Sequence, residues 1–273
     1  MQVSIIIPVY KNKDIFLKNL DHNYQYIQDQ EIMVVDDASG ENLENDLKKS
    51  FPKIKVINNQ KNLGYGKSVN LGAKSATSDY LLLLNSDVLL NNRNYLEGVD
   101  YLQKNKNFFG VSFCQIEKDG SFVGKNKLYF HQGLYYHQRV KNNKKGLNGW
   151  AEGGSCILRK EMFNQLGGFD PVYAPFYWED IDLSYRAKQK GWQVLFDPDI
   201  KVIHHHETTI GKYFSKSYIK QISIRNQYLF FWKNVRDIKL ILLHVIYLPV
   251  NLIRAIFSYD LDCLKGFFLS VNP

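Results

Sequence analysis

The chain has 273 residues, 45% of them hydrophobic and 14% aromatic, which suits one large domain with or without an appendage and excludes a mainly disordered or low-complexity chain. Three cysteines, Cys114, Cys156 and Cys263, form no CxxC pair, so zinc-ribbon and thioredoxin-type motifs are excluded and a reduced, cytoplasmic compartment is expected. Residues 212–273 carry nine basic and three acidic side chains, +6 of the net +8, and this basic tail calls for an anionic surface, either nucleic acid or membrane headgroups.

Strand and helix signals alternate through the first hundred residues. Val3–Val9 is a continuous apolar run, as for a strand buried on both faces. Asp14–Ile27 has helical spacing; Glu31–Val35 is a second buried strand; Leu43–Ser50 is a helix; Ile54–Asn58 is a third strand. Asn62–Ala76 opens with glycines and continues as a helix, and Tyr80–Leu84 is a fourth strand. The apolar Met1–Tyr10 start lacks the basic flank and length of a signal peptide. This order predicts βαβ units, a mainly parallel sheet and ligands at the strands' carboxyl ends.

Phe108–Asn148 reads as one or two strands, a hairpin around Lys118-Asp119-Gly120 and a mobile basic loop over 141–145. Strands are expected at Ser155–Leu158 and Val194–Phe196, with helices at Lys160–Leu166 and Trp178–Lys190. Ser215–Trp232 has a helical pattern. Ile238–Phe257 is strongly apolar, but Pro249 and Arg254 argue against a clean membrane span. An interfacial helix pair on a membrane is the better reading, against a helical appendage packed on the domain.

Three partial motifs fail. Gly66-Lys67-Ser68 lacks the P-loop's first glycine, because Lys61 stands there; Gly64-Tyr65-Gly66 meets Val69 where a dinucleotide fingerprint needs glycine; His206-Glu207 meets Ile210 instead of a second histidine. Other clusters carry chemistry. Asn85-Ser86-Asp87 ends a buried strand, where a carboxylate can hold a divalent cation over phosphates; a plain turn uses the same residue types. Asp36-Asp37 can bind ribose hydroxyls, or with Ser39 serve a helix cap. Glu179-Asp180-x-Asp182 follows the aromatic loop Tyr173–Trp178; it can supply a general base, or simply favour a helix N-terminus. Of His204-His205-His206, alternation lets His204 and His206 share a face, as metal ligands or as a polar turn. Gly167-Gly168-Phe169-Asp170 reads as a helix stop.

Their fixed order resembles that of family 2 glycosyltransferases with the GT-A fold, most of all the bacterial rhamnosyltransferase-like polysaccharide enzymes. The resemblance is carried by SIIIPVYK (4–11), VVDDAS (34–39), NLGYGKSVNLG (62–72), LLLLNSDV (81–88), the long run 153–192 and DPDIKVIHH (197–205), and it covers about residues 3–210. It implies an α/β GT-A catalytic domain over 1–211, with a nucleotide-sugar half to about 110 and an acceptor half after it, followed by a helical, basic, membrane-associating tail over 212–273. It implies nucleotide binding by Pro8, Tyr10, Asp36, Asp37, Asn62, Gly64, Asn85, Ser86 and Asp87. It implies acceptor or sugar contacts from Trp150, Glu152, Gly153, Gly154, Trp178 and Asp182. Asp180 becomes the general base beside Glu179, and Asp87 with His204 holds Mg²⁺ or Mn²⁺, with His206 as the alternative ligand. Asn85 replaces the first acid of the family's DxD motif.

The implied activity is inverting, metal-dependent transfer from a dTDP- or UDP-linked sugar, dTDP-rhamnose foremost, to a polyprenyl-linked glycan acceptor. This places the chain in surface-polysaccharide synthesis, peripheral on the inner face of the plasma membrane, with no nucleic-acid partner. The competing readings are a non-catalytic sugar or nucleotide-sugar binding protein, against which the intact Glu179-Asp180 and Asp87 argue, and a nucleotidyltransferase, whose glycine-rich phosphate loop is missing after Pro8-Val9-Tyr10.

Overall fold

The computed structural model describes residues 2–40, 42–204 and 210–272. The chain runs β1 (Ser4–Val9), α1 (Lys13–Ile27), β2 (Glu31–Asp36), α2 (Leu43–Ser50), β3 (Lys55–Asn58), α3 (Tyr65–Ser75) and β4 (Tyr80–Leu84). Next come β5 (Val88–Leu90), α4 (Tyr95–Lys104), β6 (Phe108–Ile116), β7 (Phe122–Val123), β8 (Asn126–His131), β9 (Leu134–Arg139) and β10 (Gly146–Leu147). Then follow β11 (Ser155–Arg159), α5 (Lys160–Gln165), α6 (Glu179–Gln189) and β12 (Gln193–His204). Four helices close the chain: α7 (Ile210–Tyr213), α8 (Lys216–Asn234), α9 (Ile238–Phe257) and α10 (Leu261–Val271).

Among the described residues, one 10-stranded sheet has the order β10-β12-β6-β11-β4-β1-β2-β3, with β5 added on β12 and β7 on β6. β3, β2, β1 and β4 are parallel neighbours. β1 explains why its sequence is apolar throughout. Ile5, Ile7 and Val9 face one core with Phe16 and Leu20 of α1, while Ile6 faces the other with Val69 and Ala73 of α3.

Three features depart from the sequence reading. The short β5 follows Asp87 directly and pairs antiparallel with β12; three residues are too few to show a period. α4 buries Tyr95, Val99 and Leu102, a helical stripe the reading passed over. The strand expected at Val194–Phe196 is longer: β12 runs on to His204, and its register against β6 shifts between Asp197 and Lys201, around Pro198. The basic loop before β10 is tied at one end by the 2.5 Å ion pair of Lys145 with buried Asp197.

The sequence reading drew a boundary at residue 211, and α8 packs across it. Its Leu229 and Phe230 join Trp150, Tyr173, Trp178 and Ile181 in one core cluster. The buried Asn226 amide lies 2.8–3.0 Å from the carbonyls of Tyr173, Phe176 and Tyr177. That amide holds the loop where Tyr177 and Trp178 adopt left-handed φ of 71° and 75°, a conformation non-glycine residues avoid. Asn226→Ala would leave these carbonyls without their donor and is expected to cost about 2–4 kcal/mol, read from urea unfolding. A variant as stable as the wild type would show that the loop needs no such clamp.

Candidate active site

β1, β2 and β4 run parallel, so their carboxyl ends open on one edge of the sheet. β11 lies antiparallel to both β4 and β6. The carboxyl end of β6 and the start of β11 therefore reach that same edge. β12 runs parallel to β6 and ends there too, at His204. This topology gathers residues from six distant parts of the sequence.

At the first strand ends, Pro8 is half-buried and Tyr10 stands 6.5 Å from Tyr213 of α7, with the Lys11 ammonium over both rings. Asp36 accepts from the Ser39 backbone N–H at 2.9 Å. Asp37 is committed to the next loop: its two oxygens accept from Asn59 Nδ2, Leu63 N and Gly64 N at 2.7–2.9 Å. Asn62 stays exposed beside it.

After β4, the Asn85 backbone N–H donates to Gly154 O at 2.9 Å, and Ser86 O accepts from Asn19 Nδ2. Gly153 and Gly154 have a steric reason to lack side chains. A Cβ at Gly154 would meet Asn85 Nδ2 at 2.5 Å, and one at Gly153 would meet the Tyr65 hydroxyl at 2.9 Å. That hydroxyl donates to Gly153 O. On the other side, Gly153 N–H reaches Asp180 Oδ2 at 3.4 Å. The two glycines thus join Asn85-Ser86-Asp87 to the acids of α6.

Those three acids have separate environments. Asp180 is partly exposed, accepts from Ile181 N–H at 2.8 Å, and has its pKa pushed up to about 7 by burial and then by the nearby Glu152 carboxylate. Glu179 is buried, and its Oε2 finds no hydrogen-bond partner among the described residues. Burial and the Asp180 charge raise its pKa well above the ordinary carboxylate value.

Asp182, expected to bind acceptor, is 1% exposed and fully engaged. It takes Tyr173 OH at 2.9 Å, Arg186 Nε at 2.7 Å and Asn234 Nδ2 at 2.8 Å, so it ties α6 to α8 and does not face the cleft. Trp150 and Trp178, also expected on the acceptor side, are only 6% and 3% exposed. Their rings pack edge-on to His137, and Trp178 also packs on Phe230. They form a wall and do not offer open stacking faces.

Asp87 and His204 meet as expected: Asp87 Oδ1 lies 3.3 Å from His204 Nε2. The alternative ligand His206 lies outside the described residues. Among the described residues no three His, Cys, Asp or Glu side chains cluster to hold a metal alone. A carboxylate and an imidazole nitrogen, completed by substrate phosphate oxygens, are nonetheless a fitting donor set for Mg²⁺ or Mn²⁺. His204 Nδ1 faces Gln115 Oε1 at 2.8 Å, the outer-sphere contact such ligands require.

Residues 4–167 match the model described as glycosyl transferase family 2. The chain belongs to this family. An N-acetylglucosaminyl-diphospho-decaprenol L-rhamnosyltransferase of Mycobacterium tuberculosis is 33% identical over 78 residues, 29% of this chain and 25% of that enzyme, so the match spans a quarter of the relative. The O-antigen chain rhamnosyltransferase WbaN of Salmonella anatum is 23% identical over 220 residues, 78% of this chain and 69% of that one. The solved structure of GalNAc-T7 with UDP, GalNAc and Mn²⁺ superposes with a TM-score of 0.67 at 18% identity, covering 85% of this chain and 48% of that one. The fold is the GT-A fold.

Within this family 2 member, sequence reasoning missed Tyr65, Gln115, Asn126 and Tyr213. Gln115 carried a usable signal: it is polar at the carboxyl end of a buried strand, like Asp36 and Asn85. The electrostatics of Asp180 can be read directly. A carbon-detected titration of its carboxyl should report a pKa about 7. Glu152→Gln removes a like charge and should lower that value. Titration of wild-type Asp180 near the ordinary carboxylate value of about 4 would contradict this reading of the site.

Proposed function

We propose that the protein is an inverting glycosyltransferase that moves a sugar from a nucleotide-sugar donor to an acceptor hydroxyl. The observation that carries this reading is the joint at Gly153-Gly154, which sets Asp180 beside Asn85-Ser86-Asp87. A base and a diphosphate-binding turn placed together suit group transfer between two bound substrates.

Asp180 would take the proton of the acceptor hydroxyl while its oxygen bonds to the anomeric carbon and the bond from that carbon to the diphosphate breaks. Such base assistance is worth ~10²–10⁴-fold. Attack from the face opposite the leaving group inverts the anomeric centre, and the nucleoside diphosphate departs. A divalent cation held by Asp87 and His204 would neutralise charge on the departing diphosphate. Tyr10 and Asp36 would hold the nucleoside, with Pro8, Asn62 and Gly64 shaping its pocket. Asp37 would keep Asn62 and Gly64 in place through its loop bonds. Gly153 and Gly154 let Tyr65 and Asn85 pack close and would so shape the wall of the sugar site. The rhamnosyltransferase names of two relatives support rhamnose as the sugar, with dTDP-rhamnose the proposed donor, and UDP in the GalNAc-T7 structure keeps a UDP-sugar beside it. The decaprenol diphosphate in the mycobacterial relative's name supports a polyprenyl-linked acceptor.

Such an acceptor would put the enzyme at a membrane, and the proposed location is the inner face of the plasma membrane. α9 is long and apolar enough to cross a bilayer by length and composition. One side of it is nevertheless docked on the turn between β8 and β9: His244 Nδ1 to Gly133 O at 2.7 Å, Asn251 Nδ2 to Gln132 O at 3.0 Å, and Arg254 to Gln132 Oε1 at 2.8 Å. Leu242, Val245, Ile246, Ile253 and Phe257 point away and are exposed. A helix pinned on one side and apolar on the other suits in-plane binding better than spanning.

Two experiments test these points. A nucleotide-sugar panel with and without Mn²⁺ should show metal-dependent binding and slow nucleoside diphosphate release for one donor. Asp180→Asn should abolish transfer with donor binding intact, and Asp87→Ala should weaken metal-dependent binding. Transfer surviving in Asp180→Asn would remove Asp180 as the base, and no binding by any donor would sink the enzyme reading. Wild-type protein should co-sediment with phosphatidylglycerol vesicles, and Leu242→Asp/Ile246→Asp should stay in the supernatant with an unchanged Tm. Equal sedimentation of both would sink the in-plane helix.

A further inference from the structure

Gln115 belongs to none of the recognised motifs, yet it lies at the centre of a buried polar chain. It is 1% exposed near the end of β6, and both ends of its amide are committed. Its Nε2 donates to Glu152 Oε2, and its Oε1 faces His204 Nδ1 at 2.8 Å. The second oxygen of Glu152 accepts from buried Asn126 Nδ2 at 2.6 Å.

The chemistry of the chain fixes its direction. A carboxylate only accepts, so Glu152 requires the NH₂ end of the Gln115 amide. The amide oxygen must then face His204, where it accepts from Nδ1–H. With that proton on Nδ1, the neutral ring carries its lone pair on Nε2, the atom 3.3 Å from Asp87 Oδ1. Without Gln115 the neutral ring could place its proton on either nitrogen and could turn about its side-chain bonds.

We infer that Gln115 is a positioning residue: one buried amide sets the tautomer and aim of His204 towards the cation site and holds Glu152 beside the base, Asp180. The inference rests on the metal-site reading of Asp87 and His204. It adds to the Gly153-Gly154 joint a second fixed link between the donor side and the acceptor side of the cleft, supplied by a strand outside the motif segments of the sequence.

The test measures Mn²⁺ affinity from the electron paramagnetic resonance of free Mn²⁺, with UDP present, on the full chain. His204→Ala is the reference. Gln115→Met removes the acceptor for Nδ1–H at nearly constant volume and should weaken Mn²⁺ about 10–100-fold, as loss of an outer-sphere partner does. Gln115→Glu keeps an acceptor for Nδ1–H and should hold Mn²⁺ close to wild-type affinity, while its kcat falls because two carboxylates now oppose each other. A purely structural role would lower both variants' affinity alike. Folded Gln115→Met binding Mn²⁺ like wild type, with His204→Ala weakened, overturns the inference. If Gln115→Met does not fold, loss of Mn²⁺ affinity in folded Gln115→Glu overturns it instead. If wild type and His204→Ala bind Mn²⁺ alike, the metal-site reading itself fails.

Discussion

Three carboxylates in the first turn of one helix repel each other, and the architecture around α6 follows from how they are kept apart. The helix N-terminus favours negative charge there, but that alone does not offset three acids in a partly dry cleft. Each acid meets a different answer. Asp182 is neutralised by Arg186 and hydrogen-bonded by Tyr173 and Asn234. Glu179 is buried with its Oε2 unpartnered among the described residues, and burial raises its pKa above the ordinary carboxylate value. Asp180 keeps an edge on the cleft with two backbone N–H groups and a pKa raised to about 7. Of the three, Asp180 alone keeps exposure to the cleft.

This division recruits the rest of the molecule. α8 is drawn into the catalytic body because Asn234 serves Asp182 and Asn226 holds the strained loop that launches α6. β11 runs antiparallel between β4 and β6, so its start brings Glu152, Gly153 and Gly154 to the edge where the parallel strands end. The raised pKa also has a stability consequence. The folded state holds the Asp180 proton more tightly than the unfolded chain does. The stability from this group is therefore complete below the ordinary carboxylate pKa and is lost as pH rises towards about 7. If Asp180 serves as the proposed base, that role is held at some expense to the fold, as perturbed site residues often are.

Much of this was legible in the sequence, for a physical reason. Parallel strands buried on both faces leave continuous apolar runs, and a polar residue at the end of such a run has to reach an edge. Asp36, Asp37 and Asn85-Ser86-Asp87 could be set at that edge this way, and Asp87 lies 3.3 Å from His204. Illegible were partnerships set by tertiary register. Nothing in Glu179-Asp180-x-Asp182 says which acid turns inward, because that depends on Tyr173, Arg186 and Asn234. Trp150 and Trp178 were expected to contact acceptor or sugar, and their burial could not be read from residue type. Gln115 is 89 residues from His204, and its place emerges only from the pairing of β6 with β12. The apolar character of α9 was plain, whereas its docking on Gln132 and Gly133 was not.

The central claim is that one sheet edge gathers a cation site, a donor diphosphate and a base through the Gly153-Gly154 joint. Its most direct test is a crystal grown with Mn²⁺ and UDP, read by anomalous scattering from the metal. The expected result is one manganese peak bonded to Asp87 and His204 and to the diphosphate, with the uracil near Tyr10 and Asp36. A manganese peak away from Asp87, or UDP bound elsewhere on the molecule, would contradict it.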